Sequence, residues 1–133
     1  ELASLDWVRK PLPRMVAVQT EGCAPVVRAF EAGRETVEPW PDPATKALGL
    51  NVPAPTAGAW MLRVLRASRG RAVAVAEGSL GQAQEELREI SGVAAGPESA
   101  AAWQGLKELI AEGWIGPEER AVVVITGDDR RYR

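Results

Sequence analysis

Apolar residues along this chain recur at two spacings, one that suits helices and one that suits strands. Ala57, Trp60, Met61, Val64 and Leu65 stand three and four apart. That spacing lines one face of a helix and predicts one over 56–68, with Arg63, Arg66 and Arg69 on a solvated side and Gly70 as its stop. Leu2, Leu5 and Val8 share a face over 1–9, and Pro11 and Pro13 end that helix. Ala83, Leu87 and Ile90 form a third stripe, opened by Ser79 and Gln82 in the S-x-x-Q arrangement of a capping box and closed by Gly92. Ala102, Trp103, Leu106, Leu109 and Ile110 form a fourth, ended by Gly113. It opens at Gly96-Pro97-Glu98, where proline suits the first helical position and the carboxylate caps the positive end. Three short apolar runs, 14–19, 71–76 and 120–126, read as buried strands. A short helix over 24–32 follows the first strand, with Pro25 in its first turn and Gly33 at its end.

The predicted order is α-β-α-loop-α-β-α-α-β. Strands separated by helices imply an α/β fold, three layers with a short, mostly parallel sheet. Residues 36–56 interrupt the alternation with five of the ten prolines. A connection that long is often functional or disordered. This one is expected to hold at most a turn or two of helix around 44–48 and to pack down through Trp40 and Leu50. The chain reads as one partial domain, 1–133. Three strands leave sheet edges open, so a partner or sequence outside this chain is expected to cover them.

Composition narrows the function. Sixteen Lys and Arg against 18 Asp and Glu leave a net charge of −2 over 133 residues, which excludes a basic nucleic-acid footprint. There is no histidine and one cysteine, so histidine triads, histidine metal sites and internal disulfides are all excluded. Apolar runs fall well short of a membrane span, and the N-terminus has no signal-peptide pattern. A cytoplasmic setting is expected. The first residue is not methionine, which implies a processed or trimmed chain or one cut from something longer. Alanine supplies 22 of the apolar residues, so the core must be built from small side chains with five tryptophans filling larger gaps.

Two places could carry chemistry. Thr126-Gly127-Asp128-Asp129 follows the third predicted strand, and ligands of open α/β sheets bind beyond strand carboxyl ends. The aspartates could hold Mg²⁺, or the segment could be a polar turn. Thr20-Glu21-Gly22-Cys23 follows the first strand. Cys23 beside a helix start could have a lowered pKa, but without a histidine it lacks the usual base, and a small buried cysteine is the favoured reading.

Several segments, in order, resemble a known family. Residues 13–25, P-R-M-V-A-V-Q-T-E-G-C-A-P, are similar to a strand and helix start in the second half of the threonine synthases. These belong to the fold-type-II pyridoxal-phosphate (PLP) enzymes, with serine/threonine dehydratases, cysteine synthase and the tryptophan synthase β chain. Thr45-Lys46-Ala47-Leu48-Gly49-Leu50 resembles the family's T-x-A-x-G-L, and 71–76 its A-V-A-V strand. Gly96-Pro97-Glu98-Ser99-Ala100-Ala101 resembles P-E-G-A-A, with Ser99 in place of the glycine. Residues 114–123 resemble the approach to the last strand, and Thr126-Gly127 with Tyr132 the closing T-G-S-G-x-K-Y.

The resemblance implies roles. Thr126 matches the hydroxyl residue that accompanies the pyridine nitrogen of PLP, with Gly127 beside it. Gly96 and Pro97 match the turn near the ring. The resemblance also implies a parent reaction, O-phosphohomoserine and water to threonine and phosphate, with a dehydratase-like parent as an alternative. The family's S-x-K-[DN] motif, which carries the Schiff-base lysine, does not occur: Lys10, Lys46 and Lys107 all stand in other contexts. Nor does its glycine-rich phosphate loop. Asp128-Asp129 and Arg130-Arg131 replace S-G and x-K. The expectation is a C-terminal portion that is inactive and binds no PLP alone, and that pairs with a complementary N-terminal half or with further copies of itself. The alternative is a non-catalytic binding or assembly module built on the same fold.

Overall fold

The structure is a computed structural model that describes residues 4–8 and 11–128. Two strands, β1 (Val16–Thr20) and β2 (Arg71–Val75), lie parallel, with Val16 opposite Arg71 and Thr20 opposite Val75. Among the described residues four α-helices accompany them: α1 (Pro25–Glu31), α2 (Gly58–Ala67), α3 (Leu80–Ser91) and α4 (Pro97–Ala111). Single 3₁₀ turns occur at Leu48–Leu50 and Glu77–Ser79.

Side chains alternate across a strand, so each strand divides its residues between two faces. Ala17, Ala72 and Ala74 meet Val26, Val27, Leu62 and Leu65 of α1 and α2. Val18, Val73 and Val75 meet Ala47, Leu80 and Ala101 on the other face. The sheet is thus covered by helices on both sides, the arrangement expected of parallel strands. Small side chains bring the layers close. A Cβ added to Gly105 of α4 would stand 2.9 Å from Val18 Cγ2. Two other glycines lie beneath passing backbone: a Cβ on Gly22 would be 1.7 Å from the Ala44 carbonyl oxygen, and one on Gly70 1.8 Å from that of Met15.

The direction of α4 follows from its contacts. Ala101 packs with Val75 at the end of β2, and Glu112 pairs with Arg71 at the start of β2 at 3.6 Å. The helix therefore runs against the strands, and its N-terminus lies at their carboxyl ends.

Several expectations are corrected. The run 120–126 is not a strand. It is irregular, and an isolated antiparallel bridge to Ala95 forms only beyond it, at Asp128. Val122 is 89% exposed and Val124 67%, where burial on both faces was expected. β-branched residues favour extended backbone, but a strand also needs a neighbour's row of hydrogen-bonding groups, and the sheet among the described residues ends at two strands. Residues 4–8 are turn and bend rather than helix. The α2 face is rotated from its expected stripe: Gly58, Leu62 and Leu65 are buried while Trp60 is exposed, because Leu62 and Leu65 pack with the α1 core. The α4 stripe is likewise shifted, to Ala101, Gly105 and Leu109, leaving Ile110 exposed. Ile90 is exposed on α3. The helical turn expected around 44–48 lies at Leu48–Leu50.

The capping box does not form. An N-cap residue needs non-helical backbone, and Ser79, closing its 3₁₀ turn, is in the αR region. Its hydroxyl donates to the Ala76 carbonyl, and the Gln82 amide donates to Glu86. Gly92 and Gly113 do end α3 and α4, each with φ of 72°. Trp40 and Leu50 pack against the two core clusters, as expected. Arg28 extends over the Trp40 ring at 4.8 Å. Among the described residues no helix is long and apolar enough to cross a membrane.

Candidate functional site

The carboxyl ends of β1 and β2 and the N-terminus of α4 face one region, and most of the sequence-predicted residues collect there. Gly96 is the N-cap of α4, extended at φ −68° and ψ 167°, and Pro97 is the first helical residue, where its missing N–H costs nothing. The Gly96 N–H donates to the Gly127 carbonyl at 3.0 Å. The Thr126 N–H donates to Ser99 Oγ at 3.2 Å, and Ser99 is 1% exposed. The first turn of α4 therefore holds Thr126 and Gly127 by two hydrogen bonds. Thr126 itself is exposed. The four residues singled out in the sequence, Gly96, Pro97, Thr126 and Gly127, come together. Ser99, noted only as a departure from the family pattern, supplies one of the two ties.

Glu98 stands in the first turn of α4, as expected, and also reaches beyond its helix. Its Oε1 accepts the Gly49 N–H at 2.7 Å, joining α4 to the Leu48–Leu50 turn. The preceding residues are fastened to the sheet. The Ala44 N–H donates to the Gly22 carbonyl at 3.0 Å, and the Thr20 hydroxyl donates to Thr45 Oγ1 at 2.9 Å. The Lys46 N–H donates to Glu77 Oε2 at 3.0 Å, just past the end of β2. Ala47 is fully buried against Val75, Leu80 and Ala101. Burial pushes the Glu77 carboxyl up, but the Thr45 hydroxyl, the Lys46 amide, the Thr20 hydroxyl and the Lys46 charge together hold it below its ordinary value. The T-x-A-x-G-L segment thus borders the same region as Gly96 and Thr126. Glu77 was not foreseen; its position directly after an apolar strand is the signal that could have found it.

Cys23 is fully buried and free, as the plain reading expected. Asp128 bridges Ala95, and the described residues contain no group of three His, Cys, Asp or Glu side chains that could hold a metal ion. Asp129, Arg130, Arg131, Tyr132 and Lys10 lie outside the described residues. An apolar cleft of about 420 Å³ lies at the opposite end of α4, lined by Leu106, Ile110, Ile115 and Pro117.

Residues 3–127 match the family described as pyridoxal-phosphate dependent enzyme. The threonine synthase of Methanosarcina acetivorans is 34% identical over 116 residues, 87% of this chain and 29% of the relative. That of Methanocaldococcus jannaschii is also 34% identical over 116 residues, 87% of this chain and 29% of the relative. That of Mycobacterium tuberculosis H37Rv is 29% identical over 117 residues, 88% of this chain and 30% of the relative. The chain thus spans about 30% of the length of the relatives it matches. Among solved structures, maize serine racemase superposes with a TM-score of 0.62 at 21% identity, over 76% of this chain and 30% of that one. A T.th. threonine deaminase superposes with a TM-score of 0.58 at 22% identity, over 77% of this chain and 35% of that one. These two show the fold.

The residues present fit one side of the cofactor this family takes. An exposed hydroxyl residue, Thr126, is held beside a helix N-terminus whose N-cap is a buried glycine. The other ends of PLP find less. Lys107 is engaged with Glu86 at 2.5 Å between α3 and α4, and Lys46 is tied through its backbone to Glu77.

Proposed function

Since the chain belongs to the pyridoxal-phosphate dependent enzyme family and is related to threonine synthase, we propose that it is the C-terminal portion of a threonine-synthase-like enzyme, supplying the ring-nitrogen side of a PLP site. The observation that carries this reading is the pair of ties from Gly96 and Ser99 to Gly127 and Thr126. Thr126 would hold a proton at its hydroxyl oxygen against the pyridine nitrogen, with Gly127, Gly96 and Pro97 bordering the ring. A neutral hydroxyl there tunes the ring's electronics without adding charge. When bound, PLP supplies the electron sink for amino-acid chemistry. The buried Ser99, which accepts the Thr126 N–H, and the Gly96 N–H, which donates to the Gly127 carbonyl, keep Thr126 in place. The proposed reaction of the completed enzyme is O-phosphohomoserine and water to threonine and phosphate.

The chain alone is proposed to be inactive. No lysine stands in the Schiff-base motif and no glycine-rich phosphate loop occurs. Its proposed partner is an N-terminal portion of such an enzyme or, failing that, further copies of itself. The exposed side chains of Val122, Val124 and Ile125 and the open sheet edges favour either.

The test is complementation. This chain is co-expressed with the N-terminal portion of a threonine synthase relative, and threonine formation is assayed. Activity is expected with both halves and not with either alone. Thr126→Val should then lower turnover by roughly tenfold, the loss of one hydrogen bond to a charged or polar ring atom. Unchanged turnover in Thr126→Val would remove the threonine's role. Stoichiometric borohydride trapping of PLP on one lysine of the isolated chain would overturn its dependence on a partner.

A further inference from the structure

Glu98 lies at the junction of three backbone segments. Its Oε1 accepts the Gly49 N–H at 2.7 Å. A Cβ added to Gly49 would stand 2.8 Å from that same oxygen, and one added to Gly96 would stand 3.2 Å from Glu98 Oε2. Two glycines, one on the 48–50 turn and one at the α4 N-cap, therefore leave room for a single carboxylate between them. Gly96 in turn holds the Gly127 carbonyl at 3.0 Å. The carboxylate also sits in the first turn of α4, where negative charge is favoured.

We infer that Glu98 is a positioning residue which couples the 44–50 strap to the Thr126–Gly127 segment. The strap is fixed at one end to the sheet by Glu77 and Thr20. Its other end is fixed by Glu98. The same carboxylate packs against Gly96, so the strap and the Gly96–Gly127 tie share one anchor. A loosened strap loosens that tie, while the far end of the sheet is untouched. The inference rests on hydrogen bonds within this chain and involves no cofactor, so it can fail while the proposed function stands, and the reverse.

Amide hydrogen exchange on the full chain, read by NMR, tests it. Glu98→Ala is expected to speed exchange at both Gly49 and Gly96 by about tenfold, the size of one lost hydrogen bond. Gly70, whose N–H donates to the Leu65 carbonyl at 2.7 Å beside the start of β2, should keep its rate. Glu98→Gln retains an acceptor oxygen and should keep Gly49 protected. If Glu98→Ala does not fold, Gly49→Ala serves instead, since its methyl group would displace the carboxylate; faster exchange at Gly96 with Gly70 unchanged is expected there too. Faster exchange at Gly49 with Gly96 unmoved would overturn the coupling. So would a rise at Gly70 as large as that at Gly96, because that is general loosening.

Discussion

Gln19 caps a helix from a neighbouring strand, and its removal should be costly. It is 8% exposed near the end of β1. Its Oε1 accepts the Val26 N–H at 2.9 Å and the Val27 N–H at 3.2 Å, two of the free donors of the first turn of α1. The N-cap of α1, Ala24, offers no side-chain acceptor, and Pro25 has no N–H to satisfy. Gln19→Leu keeps the volume and leaves two buried amides without a partner. Each buried orphan costs about 1–3 kcal/mol. Partial relaxation of a seven-residue helix brings the sum to about 2–4 kcal/mol. With a urea slope of about 1–3 kcal/mol per molar for small proteins, the unfolding midpoint should fall by roughly 1–2 M. Tryptophan fluorescence and far-ultraviolet circular dichroism would follow it together. Gln19→Glu keeps the acceptor and places negative charge at the positive end of the helix, so it should lose less than half as much. A Gln19→Leu variant within about 0.5 kcal/mol of the parent would refute the reasoning, because that is the ordinary scatter of a surface change.

Three further outcomes follow from other parts of the structure. Lys107 first, then Trp103 and Gln82, hold the Glu86 carboxyl from its ordinary 4.5 down to about 2; the folded state then binds fewer protons than the unfolded one, so this stabilisation is full above pH 4.5 and lost as pH falls through about 2. Glu86→Gln should be less stable than the parent at pH 6, with the gap closing across that window; a gap that persists at pH 2 would contradict this. Gly105→Val should cost about 1–3 kcal/mol by overpacking against Val18, and Val18→Ala in the same chain should restore part of it, both read by denaturant unfolding. Light scattering at micromolar concentration should give a mass above that of one chain, since Val122, Val124 and Trp60 stand largely in solvent; a cooperatively unfolding monomer would refute self-association.

What was legible in the sequence was local. The parallel strands at Val16–Thr20 and Arg71–Val75, the proline start of α4 and the glycine stops of α3 and α4 follow from residue types acting on their own backbone. The meeting of Gly96 and Pro97 with Thr126 and Gly127 was legible only through family resemblance, because a whole helix and an irregular segment separate them in the chain. What failed needed a partner to decide it. Val122–Ile125 has strand chemistry and no neighbour to pair with among the described residues. On α2, Trp60 and Leu62 are both apolar, and only the position of α1 decides that Leu62 faces inward. Ser79 and Gln82 have capping-box spacing, but the 3₁₀ turn at Glu77–Ser79 shifts the serine out of cap geometry. Glu98 and Glu77 act on amides 49 and 31 residues away, which periodicity does not reveal.

The two glycines beneath passing backbone have a consequence for alignment. The middle of the five-pair ladder, Ala17 opposite Ala72 and Val18 opposite Val73, contains little that distinguishes one offset from the next, while Arg71, Gln19 and Thr20 stand at its ends. Gly70 precedes β2 under the Met15 carbonyl, and Gly22 follows β1 under the Ala44 carbonyl. Sliding β2 by one place would bring Arg69 or Arg71 to the crossing that only a residue without Cβ can occupy. The ladder is therefore keyed from outside its own length, at opposite ends, by atoms that are missing rather than by atoms that attract. A shifted pairing would set a Cβ against a carbonyl oxygen at one crossing or the other, so the two glycines reinforce the register that the strands share.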